Sequence, residues 1–360
     1  MTGYTIAEIR RLLIKIASQQ PSGSEHAWSW SRWRRRRQYQ ARQCHYPAPR
    51  VCADLSEENR ERNVKTASAG ALAMSYLEDG PAGGWPVILA HGFPFDVHAY
   101  DEVAALLTAR GARVIRPWLR GFGPTRFLSA ATQRSGQQAA LGSDLLALLD
   151  ALHLETAIFA GYDWGGLASC VATALWPGRV AGLVSSYAVI DISRQERAFT
   201  PAKEHAVWYQ HLFQTERGRQ CLARYRRELC RMLWQQWSPY WQFDEATFEQ
   251  TAASFDNPDF VDVVIHAYRH SFGLAAGDPA YQELEDRLSR RPKITVPSVT
   301  LDGLSDTLKP GGTADQAAMF TGRHEHHVID AGHNLPQEAP AAFADAVLTV
   351  RQWLPADEHD

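Results

Sequence analysis

From residue 71 onward, short apolar runs alternate with longer stretches in which apolar residues recur at helical spacing. The runs Ala71 to Tyr76, Pro86 to Ala90, Arg113 to Arg116, Thr156 to Gly161, Val180 to Ser185, Thr295 to Leu301 and His327 to Ile329 have the length of buried strands. Leu141, Leu145, Leu148, Leu149 and Leu152 share one helical face, as do Phe343, Val347, Val350 and Leu354. Such alternation predicts an α/β class: a mostly parallel, doubly wound sheet with helices packed on its faces.

Two stretches depart from that pattern. Between residues 193 and 291 a Trp- and Tyr-rich, mainly helical segment intervenes, divided by Ser238-Pro239, Asn257-Pro258 and Gly277-Asp278-Pro279. It reads as a helical lid, or cap, inserted between two parts of the core, residues 67–192 and 292–360. Residues 1–66 carry little periodicity after Ile16 and read as a basic, poorly ordered extension. Its functional alternative is a nucleic-acid or membrane-surface arm, with Trp28, Trp30 and Trp33 interleaved among charges.

Charge sharpens this division. The 360 residues are 45% hydrophobic and 21% charged, a globular composition, with a formal net charge of −3. The first 50 residues hold ten Lys and Arg against Glu8 and Glu25, so the remainder is strongly acidic and has no general attraction for phosphate backbones. No nucleic-acid or membrane partner is therefore expected for the core. The five cysteines, at 44, 52, 170, 221 and 230, are scattered, which fits a reducing, cytoplasmic setting better than a disulfide scaffold or metal knuckle. No run approaches the ~18 apolar residues of a bilayer span. No apolar stretch follows the Arg34 to Arg37 run, so no export signal is expected.

The chemistry concentrates at strand ends. Gly161-Tyr162-Asp163-Trp164-Gly165-Gly166 follows one apolar strand and opens a helical pattern, the form of a strand-turn-helix elbow with Asp where a serine hydrolase has Ser. Its small flanking residues suit a tight turn that thrusts the Asp163 side chain outward. Read alone, Asp163 could simply cap a helix N-terminus. His91-Gly92-Phe93-Pro94 follows an earlier strand, and in an elbow enzyme the backbone N–H groups of such a loop and of the residue after the nucleophile form an oxyanion hole, here Phe93 and Trp164. Asp306, in Gly303-Leu304-Ser305-Asp306, and His333, in Ala331-Gly332-His333-Asn334-Leu335-Pro336, complete the chain order nucleophile, acid, histidine. Asp302 is the alternative acid.

Together these motifs resemble the α/β-hydrolase superfamily over roughly residues 70 to 355, and within it the epoxide hydrolase and haloalkane dehalogenase branch with an aspartate nucleophile. Arg120-Gly121-Phe122-Gly123 also resembles the branch's Arg-Gly-x-Gly turn, with Trp118 or Leu119 where an acidic residue often precedes it. A carboxylate is ionised at neutral pH without a base, and its attack on an sp3 carbon gives a stable alkyl ester, whereas attack on an acyl group gives a strained anhydride. His333, steered by Asp306, would then activate the water that hydrolyses the ester.

The leaving group separates the two activities. An opening epoxide generates an alkoxide that needs a proton donor; a departing halide needs only weak N–H donors. Tyr209-Gln210-His211-Leu212-Phe213-Gln214 and Tyr268-Arg269 resemble epoxide hydrolase lid segments, and the resemblance implies that Tyr209 and Tyr268 protonate the epoxide oxygen. Aromatic packing beneath a lid is the structural alternative for both. Haloalkane dehalogenases usually carry Asn or Glu where Phe93 stands, and fluoroacetate-type enzymes Arg where Trp164 stands, so the resemblance is nearer to epoxide hydrolases. Trp208, Trp234, Trp237 and Trp241 are expected to wall the pocket or its lid. The expectation is a hydrolase needing no cofactor or metal, acting on an apolar epoxide and water. An alkyl halide is the alternative substrate, and a non-catalytic ligand-binding receptor on the same fold is the alternative class.

Overall fold

Nine strands make one sheet among the described residues, which in this computed structural model are 64–186, 200–309 and 312–355. In chain order they are β1 (Val64–Ala69), β2 (Leu72–Asp79), β3 (Trp85–Ala90), β4 (Ala112–Pro117), β5 (Arg126–Phe127), β6 (Ala157–Tyr162), β7 (Val180–Ser186), β8 (Ser298–Gly303) and β9 (His324–Ile329). The spatial order is β1-β2-β4-β3-β6-β7-β8-β9, with β5 paired to β2. From β4 to β9 every neighbouring pair is parallel, while β2 runs antiparallel to β1, β4 and β5. The fold class is therefore the one the alternation implies. β3 and β6 lie side by side at the centre with almost every residue buried, as strands covered on both faces must be.

Helices α1 (Asp101–Thr108), α2 (Gln138–Ala151) and α3 (Asp163–Leu175) follow β3, β5 and β6. After β7 the described chain is helical: α4 (Pro201–Ala206), α5 (Trp208–Leu212), α6 (Glu216–Trp237), α7 (Glu245–Ala252), α8 (Phe260–Ser271) and α9 (Gln282–Ser289) precede β8. Side-chain caps start three of these: Thr200 accepts from Lys203 N–H, Thr215 from Gly218 N–H and Asp244 from Thr247 N–H. α6 stops at Trp237, just before Ser238-Pro239. The short α10 (Leu335–Glu338) and the terminal α11 (Pro340–Trp353) close the chain, α11 packing against α1 and α2 against α3.

The strands differ from the apolar pattern in several places: β5 carries no such run, β2 continues to Asp79, β8 starts only at Ser298, and both edge strands, β1 and β9, depart from it as well. β1 begins at Val64, so residues 64–66 belong to the sheet and not to an extension ending at 66. Its sequence Val-Lys-Thr-Ala-Ser-Ala turns only Ala69 fully inward, leaving no apolar alternation to read. β9 starts at His324 rather than 327, because His324, Glu325 and His326 form a half-buried edge ladder with β8. The Arg-rich stretch with Trp28, Trp30 and Trp33 lies outside the described residues. Among the described residues no helix is long and apolar enough to cross a membrane.

Candidate active site

β6 passes into α3 without an intervening residue, and the first helical residue is Asp163 at φ +50°. That left-handed backbone costs a non-glycine residue on the order of 1–3 kcal/mol, and Asp is among the side chains that tolerate it best. The reversal also needs close packing: a Cβ on Gly165 would sit 1.9 Å from the Ala90 carbonyl oxygen, and one on Gly92 2.5 Å from Asp163 Cβ. Glycine at these positions lets the elbow press against the end of β3. The carboxylate is thereby held just above the His91-Gly92-Phe93-Pro94 loop, almost entirely buried.

Three of the residues singled out by sequence converge there. Asp163 Oδ1 accepts the Phe93 backbone N–H at 2.8 Å, and Oδ2 lies 3.6 Å from His333 Nε2. His333 Nδ1–H donates to Asp306 Oδ2 at 2.9 Å, and Asp306 Oδ1 accepts the amides of Leu308 at 2.7 Å and Lys309 at 3.2 Å. Asp163, His333 and Asp306 thus form a continuous line with the imidazole between two carboxylates. Burial opposes charge on His333, but Asp306 and Asp163 outweigh it and raise the imidazole to about 10.

Asp302 stands apart from this line. Its carboxylate accepts from Thr313 N–H at 2.6 Å and from the Thr313 hydroxyl, and pairs with His326 Nε2 at 2.6 Å. Those bonds tie β8 to β9 and to the segment between them, which leaves Asp306 as the carboxylate on His333.

Tyr209, on α5, and Tyr268, on α8, meet beside the Phe93 ring. Both are buried, their hydroxyl oxygens lie 3.4 Å apart, and Gln210 Nε2–H donates to the Tyr209 oxygen at 2.7 Å. The Tyr209 and Tyr268 rings sit 6.3 and 5.6 Å from the Phe93 ring, whose amide holds Asp163. Trp164, which follows Asp163, stacks on Phe93 at 5.5 Å and lies 5.8 Å from Tyr268. The Trp237 ring touches both halves, 5.3 Å from Tyr209 and 5.2 Å edge-on to His333. Of the other tryptophans, Trp234 donates to the Pro94 carbonyl at 2.8 Å and lies tilted against Trp241 at 5.3 Å, and Trp208 donates to Gln236.

Supporting residues carry structural roles that their sequence motifs did not assign. Burial pulls His91 down to about 4, so its neutral ring accepts the Leu119 amide at Nε2 and donates from Nδ1 to the Gly92 carbonyl. Arg120 forms a buried two-pronged pair with Asp144, at 2.6 and 2.7 Å, that fixes the Arg-Gly-Phe-Gly turn. The turn's Phe122 packs on His91 and Trp164. Among the described residues no group of three or more His, Cys, Asp or Glu side chains is arranged to hold a metal ion.

The profile of a family described as having the alpha/beta hydrolase fold matches residues 86–340. A haloalkane dehalogenase from Psychrobacter cryohalolentis is 34% identical over 118 residues, 33% of this chain and 38% of that protein. Epoxide hydrolase A from Mycobacterium tuberculosis is 32% identical over 125 residues, 35% of this chain and 37% of that protein. These matches span less than two fifths of the curated relatives' lengths. A crystal structure from Klebsiella pneumoniae, of a protein provisionally assigned as an epoxide hydrolase, is 41% identical and superposes with a TM-score of 0.79, covering 82% of this chain and all of that one.

Proposed function

The chain belongs to the α/β-hydrolase fold family, and from that premise we propose that it is an epoxide hydrolase that opens an apolar epoxide to a vicinal diol through an alkyl ester on Asp163. One observation carries the choice of epoxide: two buried phenols 3.4 Å apart share an aromatic patch with the loop that tethers the Asp163 carboxylate. Phenols can protonate an alkoxide. Helices α4 to α9 serve in this reading as the lid that carries those phenols over the site, and an apolar epoxide suits the surrounding Phe93, Trp164, Phe213 and Trp237 rings.

Asp163 attacks an epoxide carbon; the C–O bond of the ring breaks as the ester C–O bond forms, and Tyr209 or Tyr268 supplies the proton to the nascent alkoxide. In the resting state the imidazolium of His333 lies between two carboxylates. Alkylation removes the charge of Asp163, one of the two groups holding that proton, so the proton can pass through solvent to the tyrosinate. Neutral His333, oriented by Asp306, then takes a proton from water as its oxygen attacks the ester carbonyl. The Phe93 and Trp164 amides receive the developing oxyanion, a contribution of about 10²- to 10³-fold per donor. Collapse releases the second diol oxygen, which takes up a proton, and restores the Asp163 carboxylate.

The test is a panel of epoxides and haloalkanes assayed side by side, with repeated turnover in oxygen-18 water followed by mass analysis of the peptide containing Asp163. Diol formation, one heavy oxygen in that peptide and loss of turnover in Asp163→Ala are the expected results. Absence of label refutes the ester, halide release without diol formation moves the protein to the dehalogenases, and stoichiometric binding without turnover makes it a receptor.

A further inference from the structure

The last turn of α6 grips both halves of the acid–histidine pair. Ser238, the residue that ends the helix, accepts the His333 backbone N–H at 3.0 Å and the Asn334 N–H at 3.3 Å, and donates to Glu338 Oε1 at 2.6 Å. Glu338, on α10, accepts the Gly332 amide at 2.7 Å and the Asn334 amide at 3.0 Å through its two oxygens. Three consecutive amides around His333 are thus held by one hydroxyl and one carboxylate. The approach is close enough that a Cβ on Gly332 would lie 2.7 Å from Ser238 Cα. On the acid side, Thr307, directly after Asp306, donates its hydroxyl to the Gln236 carbonyl and its amide to the Trp237 carbonyl. The Trp237 ring lies edge-on against the imidazole.

We infer that Ser238 and Glu338 act as a positioning pair, through which the C-terminal turn of α6 sets the placement of His333 and makes ester hydrolysis depend on how the helical segment is seated. The inference rests on the reading of His333 as the base of the second half-reaction. Ester formation requires the Asp163 carboxylate and the phenols; only hydrolysis requires Nε2 to meet a water at the correct distance. A displaced His333 turn therefore slows the second step selectively, and a displacement of about 1 Å is worth on the order of a hundredfold in rate. A group that merely stabilised the fold would reduce both steps together.

The experiment compares Ser238→Ala and Glu338→Gln with the unaltered full-length chain, using styrene oxide as probe and rapid quenching followed by mass analysis. The expected result is a fall in kcat on the order of ten- to a hundredfold, a parallel fall in KM, a nearly unchanged kcat/KM and accumulation of alkylated Asp163. Loss of kcat/KM together with kcat, without accumulated ester, overturns the inference, and so do unchanged kinetics. A second readout is independent of turnover: in 15N-labelled protein, the His333 Nδ1 proton and the 332–334 amides should exchange faster with solvent in both variants. If the unaltered chain forms no ester with styrene oxide, the functional reading fails, and the exchange rates alone decide the positioning role: acceleration supports it, no change sinks it.

Discussion

A single imidazole between two carboxylates has to change its charge state during the proposed cycle. His333 holds a proton most firmly while Asp163 is ionised, and the alkyl ester removes that restraint at the moment a base is needed. His333→Gln should accordingly leave alkylation intact and block hydrolysis. Treatment with an epoxide probe should give a stoichiometric mass increase equal to the probe on the peptide containing Asp163, with steady-state turnover reduced by about 10³-fold or more. An unmodified peptide would mean that His333 acts before the ester rather than after it. Asp163, Asp306 and His333 were legible in the sequence because each is a chemically active residue in a glycine-containing turn directly after an apolar run. Ser238, Glu338 and His91 were not. Their partners are backbone amides, and a backbone amide carries no sequence signature; Ser238 reaches His333 across 95 positions.

Elements are seated on one another by buried polar anchors. Asp96, in the loop after β3, accepts the Ser254 hydroxyl at 2.6 Å, the Thr251 hydroxyl at 3.1 Å and the Trp118 indole N–H, which joins the central sheet to α7 and the turn beyond it. Asn257 adds two donations to the carbonyls of Gly123 and Thr125. Asp96→Asn should destabilise the protein by about 1–3 kcal/mol, since an amide nitrogen would confront buried donors in place of an acceptor. The urea midpoint should fall with an unchanged slope, whereas an unchanged midpoint would show that the anchor adds nothing net. Such joints are invisible to periodicity, which reports only which face of an element is apolar. Periodicity also underread the edges: β1 and β9 meet the sheet on one side only and keep polar residues, whereas β3 and β6, covered on both faces, stood out as continuous apolar runs.

For the molecule as a whole, a charged cluster buried at the centre of the fold links folding to pH. Sequence order predicted the alternation of strand and helix but not the spatial order that brings β3, β6 and β8 to a common edge, since that order depends on crossovers between distant segments. At that edge His333 is raised from 6.5 to about 10, with burial opposing and the two carboxylates favouring its proton. Between those values the folded chain binds a proton at this site that the unfolded chain has released, so stability falls as pH rises, by at most about 1.4 kcal/mol per pH unit. The stabilisation is complete below about pH 6.5 and gone above about pH 10. His333→Gln has no such proton to lose. The excess of wild-type Tm over that of His333→Gln should therefore shrink steadily from pH 6.5 to pH 10, as followed by thermal melts of both proteins in matched buffers. A gap that stays constant across this window would mean that His333 is already neutral in the resting protein, and the proton that the proposed cycle returns to the tyrosinate would have to come from another group.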